Sequence, residues 1–424
     1  METQNLRFAG DITIDKVNVI SANGLYQDIT GQVLSIQIFE DMFSPFITGK
    51  MVVRESLDLI NLFPFVGEET LELQLSTPSV DSSKIDAKFY IFKMTNRDMM
   101  GDRVVAYELH FSSTDSIIDI NKAISRAFAG KISDIAKTIL TDINWGLQVQ
   151  KPINIEETSN NLKYVSNFWS PIKNLYHLVE IATNKNKSPT YLFFENREGY
   201  NFVSLESLFK QEVMQEFTKD NYIRDNLSSG GSVKDLQKDY QRIETMTVPT
   251  AFDYLSRVRS GMFGSKQYFV DFTGKRIGSK NFDLLKTYEK RGHLNKYPLA
   301  SKKTIYRYNS KIDVVPKMNN SFYGYSDTSN AAMMQERMSV FKQIESTRLE
   351  ITVPGRLDYT VGKKVKLNLP RISPISKSDT DTDDKTFSGD YLIGAINHYI
   401  DRERHVCIME LVKDSTNVNY EDVK

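Results

Sequence analysis

The chain has 424 residues, with Lys plus Arg and Asp plus Glu balanced at 54 each, 40% hydrophobic and 25% charged residues. That length allows about two to four domains with substantial cores, and the charge balance removes the long-range pull toward nucleic acid or an anionic membrane that a basic chain would carry, which favours protein partners. Cys407 is the single cysteine, so no intrachain disulfide can form; METQNLRFAGD lacks the charged head and apolar run of a secretory signal, and no stretch approaches the roughly 20 apolar residues that span a bilayer. The expectation is a soluble protein, made and assembled in a cytosol.

From Asp11 to Ser113 the chain reads as strands. VLSIQIFED and ITGKMVVRE alternate apolar and polar residues, with turns at Asn23-Gly24, Ser44-Pro45, Pro64 and Gly101 and one short helical turn over 56–62. This predicts a small antiparallel barrel or sandwich. After Gly130, Ile132, Ile135, Ala136, Ile139 and Leu140 recur at three and four residues, an amphipathic helix whose apolar face Trp145 covers. Ser170-Pro171 opens a second helix, with serine as N-cap and proline at the first helical position, where no amide donor is needed; its buried stripe is Ile172, Leu175, Leu178, Val179 and Ala182. TYLFFENREGYNFVSLESLF then gives two strands turning at 196–199. A polar connection containing DNLSSGGSVKD follows. From Ile243, TAFDYLSRVRSGMFGSKQYFVDF is expected to supply the first strands of a second β unit, which is interrupted by an insertion rich in Lys, Tyr and Asn with a helix over 330–345. The chain returns to strands at RLEITVPGRLDYTVGKKVKLNLP and ends in a tail.

The second β unit echoes the first. FYIFKMTNRDMMGDRVVAYEL, ending at Leu109, aligns with DYLIGAINHYIDRERHVCIMEL, ending at Leu411, with one residue of difference in the turn. Tyr90 meets Tyr391, Asn96 meets Asn397, Val104 meets Val406, and Glu108-Leu109 meets Glu410-Leu411. Upstream, Leu71, Leu73 and Leu75 of GEETLELQL are matched by Val365, Leu367 and Leu369 of GKKVKLNL. Further upstream, Met42-Phe43 pairs with Met262-Phe263, and Met51 to Val53 with Tyr268 to Val270. Several parts in one order predict a duplicated β domain.

No residue set points to catalysis. GxSxG, HExxH, P-loop and dinucleotide fingerprints are absent from the sequence. The histidines are His110, His177, His293, His398 and His405; His398 and His405 share a hairpin and could approach, but too few ligands surround them in sequence for zinc, so no metal, catalytic or cofactor residue is assigned. Asp379, Asp381, Asp383 and Asp384 open like a calcium loop, yet the sixth position is Asp384 and the twelfth Asp390, where glycine and glutamate belong; a solvated loop is the plainer reading. The 275–311 stretch, with Tyr288, Tyr297, Tyr306 and Tyr308 among its basic residues, fits nucleic acid less well than a protein contact.

This arrangement resembles the hub protein at the centre of contractile phage baseplates and the N-terminal hub part of type VI secretion spike proteins. The repeated hairpins (Tyr90 to Leu109, Tyr391 to Leu411), the helix opened by Ser170-Pro171, the YLFFENREGYNF hairpin and the NGLYQDITGQVLSIQIFEDMFSPFITGKMVV strands carry the likeness. It implies a mostly β, α+β fold: a first β-barrel tube domain over 1–115, an α+β linking domain over 116–238, a second barrel over 239–272 and 346–415, an inserted segment over 273–345 and a tail over 416–424. It further implies a non-enzymatic homotrimer whose six similar domains form a pseudo-sixfold ring, joining a hexameric tail tube or its initiator to a trimeric central spike on a separate chain. Wedge proteins would contact the rim, and the insertion would be a contact with the wedge proteins or the spike, so that its removal over 278–309 would leave a folded trimer unable to co-assemble. The genome would pass through the lumen, and the location would be the virion's tail baseplate. A peptidoglycan- or polysaccharide-cleaving tail enzyme and a carbohydrate-binding adhesin are the alternatives.

Overall fold

The computed structural model describes residues 8–63, 65–78, 84–101, 103–219, 233–271, 275–301, 309–316, 331–371 and 383–420. The first part supplies β1 (Thr13–Ile20), β2 (Val33–Asp41), β3 (Thr48–Glu55), β4 (Glu69–Ser76), β5 (Lys84–Gly101) and β6 (Val104–Ser113). They hydrogen-bond in the order β2-β3-β6-β5-β4-β1, all antiparallel. The alternating residues Leu71, Leu73 and Leu75 face one core with Val17, Met51, Leu109 and Phe111. Close packing dictates Gly49 on β3, where a Cβ would lie 2.2 Å from the Phe111 ring.

Two helices follow, α1 (Ile132–Thr141) and α2 (Pro171–Ile181). Their periodic residues are buried as the spacing predicts, and they pack with Tyr191, Phe193, Tyr200 and Phe202 of the hairpin Tyr191–Asn196 and Gly199–Ser204. The Ser170 side chain accepts from the Lys173 amide at 3.3 Å, the expected cap. Trp145 lies edge-on to Phe128 beside the same cluster.

The last part supplies β7 (Val213–Thr218), β8 (Thr245–Ala251), β9 (Thr347–Pro354), β10 (Lys364–Asn368), β11 (Gly389–Asp401) and β12 (His405–Val412). Their order is β8-β9-β12-β11-β10-β7. Each strand thus takes the place of the one six numbers earlier, and the internal echo read in the sequence is a repeat of strand order. Only one direction differs. β1 runs antiparallel to β4, whereas β7, which arrives from the linking hairpin, runs parallel to β10.

Three expectations change. The two halves do not form separate closed barrels among the described residues; a β2–β11 pairing merges them into one open sheet of thirteen strands, which includes the short strand Tyr26–Asp28. Each half still curls, and its ends touch by hydrogen bonds without a ladder: the Ile29 amide donates to the Val17 carbonyl at 2.9 Å, and the Ile243 amide to the Thr218 carbonyl at 3.0 Å. The strand Gly264–Asp271 lies outside the large sheet, pairing with Arg276–Asp283 and Asn309–Pro316. The counterpart of Met51 to Val53 is therefore Leu349 to Ile351 on β9, which faces Leu411 and Met409 as Met51 and Val53 face Leu109 and Tyr107. Likewise Met262 and Phe263 belong to a small core with Phe282, Leu284, Tyr288 and Leu299, far from the role of Met42. Removing 278–309 would delete most of that core, as well as Leu294 and Asn295, which are hydrogen-bonded to Asp414, Ser415 and Asp390, so this segment is no detachable appendage.

Candidate interaction site

The junction between the halves is built like a subunit contact inside one chain. β2 and β11 pair antiparallel from Asp41–Ala395 to Ser35–Asp401, satisfying both strands' outer amides and carbonyls. Arg402 extends the seam, its Nε donating to the Val33 carbonyl at 2.9 Å. Apolar residues cross it both ways. Met42, at 0% exposure, sits in the core of the second half, while Ile400, also at 0%, and Leu357 sit in the core of the first.

Among the described residues, the repeat leaves the two matching edges without a partner strand. β8, the counterpart of β2, is the end of the sheet. On β5, the counterpart of β11, pairing with β4 stops at Ile91; from Phe92 to Gly101, the edge away from β6 has no strand beside it among the described residues. Strand register sets Met99, opposite Val105, against His398, opposite Cys407; His398 is 0% exposed and Met99 68%. The strand register sets Phe252 against Phe39 and so Leu255 against Met42, and Leu255 is 79% exposed. Phe92, Met94 and Met100 on one edge, and Val248, Phe252 and Tyr254 on the other, are exposed as well. Long unpaired edges flanked by apolar side chains are surfaces that a folded chain covers with another strand.

Buried polar groups lock the linking hairpin onto both halves. Glu195, 1% exposed, accepts from the Ile47 amide at 2.9 Å, from the Ser113 hydroxyl at 2.6 Å and from Lys151. Tyr200 donates to Asp115 at 2.7 Å. At the hairpin tip, Asn196 Nδ2 donates to the Val361 carbonyl at 3.1 Å, and the Arg197 amide donates to Thr360 Oγ1 at 3.2 Å. Glu40 of β2 accepts from the Thr360 hydroxyl and the Val361 amide, and burial pushes its carboxyl up to about 7 despite those donors. Burial likewise raises Glu195, with Lys151 opposing. Both carboxyls are occupied by protein donors, so they act as fasteners between units and do not face a cleft as a hydrolase pair would.

The histidines scatter in part. His110 meets Thr95 Oγ1 at 2.7 Å, His177 packs on Tyr164 and Trp169, and His293 bridges Asp414 and the Tyr288 carbonyl. His398 and His405 do meet, Nδ1 to Nε2 at 3.1 Å, and Cys407 joins them with Sγ 3.4 Å from His398 Nδ1 and 3.5 Å from His405 Nε2. All three are fully buried. Burial lowers His398 to about 4 and His405 well below its usual value, and raises the Cys407 thiol. Spacing along one element could not reveal this trio, but hairpin register could: His405 and Cys407 are two apart on β12, hence on one face, and His398 is directly opposite Cys407. Of the acidic run, Asp384 Oδ1 accepts from the Thr386 and Phe387 amides at 2.8 and 3.1 Å, a turn; Asp379 and Asp381 lie outside the described residues, as do Tyr306, Tyr308 and most of the polar DNLSSGGSVKD connection.

No family model matches the sequence. Over 97% of this chain and 97% of the other, the sequence is 22% identical to the Probable baseplate hub protein gp334 of Vibrio phage KVP40. Among solved structures, the 43 kDa tail protein of prophage MuSo2 from Shewanella oneidensis superposes with a TM-score of 0.54 at 10% identity, covering 96% of this chain and 100% of that one. A tail protein from Neisseria meningitidis MC58 does so with a TM-score of 0.54 at 11% identity, covering 94% and 96%. Along nearly its whole length, this chain therefore resembles a phage baseplate hub protein and carries the fold of phage tail proteins.

Proposed function

We propose that this chain is the structural hub of a contractile-tail baseplate, a non-enzymatic homotrimer whose six curled halves act as tube domains in a pseudo-sixfold ring. The observation that carries this reading is the β2–β11 junction together with its uncovered equivalents. The second half meets the first within the chain through β11 and β2; repeating that contact between chains brings β8 of one copy against the outer edge of β5 of the next. Three copies then alternate intrachain and interchain seams of one kind, and closed rotational symmetry leaves no edge exposed. Such a ring presents six similar positions to a hexameric tail tube or its initiator and threefold features to a central spike. Wedge proteins would meet its rim, and the genome would pass through its lumen in the virion.

Strand register gives the test. His398 pairs with Ile38, and their register counterparts are Met99 and Ala251. In the full-length chain with Met99→Cys and Ala251→Cys, mild oxidation of concentrated protein is expected to give disulfide-linked trimers on non-reducing gels, with neither single variant doing so. Light scattering should report a trimer for the unmodified chain. A trimer that forms without that crosslink would overturn the seam, and a monomer that persists with its spike and tube partners added would overturn the ring.

A further inference from the structure

We propose that His398, His405 and Cys407 form a structural metal site that takes one divalent zinc-class cation per chain. The three donor atoms lie 3.1, 3.4 and 3.5 Å apart. A tetrahedral zinc ion, with nitrogen at about 2.0–2.1 Å and sulfur at about 2.3 Å, separates its ligands by roughly 3.3 Å between nitrogens and roughly 3.5 Å between nitrogen and sulfur. The trio has the edges of one face of that tetrahedron before any ion is considered.

Its surroundings fit as well. His398 Nε2 lies 3.1 Å from the Tyr359 carbonyl; donating there holds the proton on Nε2 and leaves the Nδ1 lone pair directed at the cluster, the second-shell contact that metal-bound imidazoles use. The His405 ring is fixed against the backbone, since a Cβ on Gly355 would lie 2.2 Å from it. His405 Nδ1 is buried without a hydrogen-bond partner, a cost that a hydrogen-bonded imidazole pair leaves unrelieved and that a metal–nitrogen bond on the same ring would offset. Binding would release the Cys407 thiol proton to solvent and form the sulfur–metal bond, leaving one net positive charge. Asp358 and Glu40 act electrostatically on Cys407 in one sense and Arg356, paired with Asp358, in the other. The Arg356 carbonyl oxygen lies 3.9 Å from Sγ.

The site belongs to the second half alone. In the first half the three positions are occupied by Met99, Arg103 and Val105, a set without a histidine or a cysteine. Its ligands tie β11, β12 and the loop before Tyr359 together beside the β2 seam. It would act as a staple of that wall, with no reaction assigned to it.

The test is metal content of the full-length protein refolded with excess zinc, gel-filtered and measured by mass spectrometry of the elements. The expected result is about one zinc per chain, falling at least about tenfold in Cys407→Ser and His398→Gln, with circular dichroism reporting that both variants are folded. Because either variant could fail to fold, a second measurement uses the unmodified chain: cobalt in place of zinc should give a thiolate-to-metal charge-transfer band. Wild-type protein with less than a tenth of an equivalent of zinc, zinc retained by Cys407→Ser, or cobalt bound without the thiolate band would each overturn the assignment.

Discussion

The two six-stranded halves share a strand order, but one is finished within the chain and the other is not. In the first half the β2 edge is covered by β11, and its core receives Ile400 and Leu357 from the second. In the second half the equivalent edge, β8, ends the sheet, and β5 of the first half keeps an outer edge with exposed Met94, Met99 and Met100. The difference teaches that a duplicated domain need not use its copies alike: one seam is satisfied by connectivity, and the other is left for association. A second contrast points the same way. Glu40 at the end of β2 is buried under the linking hairpin, while its register counterpart, Asp253, caps a short surface helix by accepting from the Ser256 amide at 3.0 Å.

The largest expected effect breaks the comparison at its open edge. Met99→Lys with Met100→Lys places two cations where an apolar seam is required, and should convert a trimer to a folded monomer by light scattering, with unchanged circular dichroism. A trimer surviving both substitutions would mean that the exposed edges are not equivalents of the internal seam. Next, Met51→Ala and Leu349→Ala remove matched core residues opposite Leu109 and Leu411; each is expected to cost about 3 kcal/mol in denaturant unfolding. Unequal losses, with one near zero, would show that the shared strand order hides different cores. The last effect, no larger than these, concerns pH. Glu40 has a raised folded value of about 7, so its protonation supports the fold fully below its ordinary value near 4.5, and that support is lost as pH rises through about 7. Against Glu40→Gln, the wild type should lose up to about 3 kcal/mol between these limits. A flat difference between the two proteins would place Glu40 in contact with water.

Much of this was legible in the sequence. The two hairpins, the Leu71-Leu73-Leu75 and Val365-Leu367-Leu369 strands, the buried stripes of α1 and α2 and the Ser170 cap all sit where local periodicity put them, because each is decided by neighbours a few residues away. The partners of those elements were harder. SKQYFVDF alternates as well as RLEITVP does, and period-two pattern marks a strand without saying which sheet it joins, so pattern alone places the counterpart of β3 about 80 residues too early. The open seam was invisible for the same reason: Met99 on β5 reads as a strand residue, and only the three-dimensional repeat reveals that its equivalent is buried. A lone cysteine carries no ligand signal in sequence, although the place of Cys407 opposite His398 follows once the hairpin register is drawn.

The β2–β11 seam has a mechanical consequence. Its bonds run across the strands, from Asp41 to Asp401 along one continuous ladder. A pull along the strand axis loads every rung of that ladder in shear at once, whereas a pull across it would peel rungs one by one. Because the linking hairpin fastens both halves through Glu195, Asn196 and Arg197, peeling has no free corner at which to start. A tail that drives its tube forward would therefore find in this wall a part that resists force along its strands.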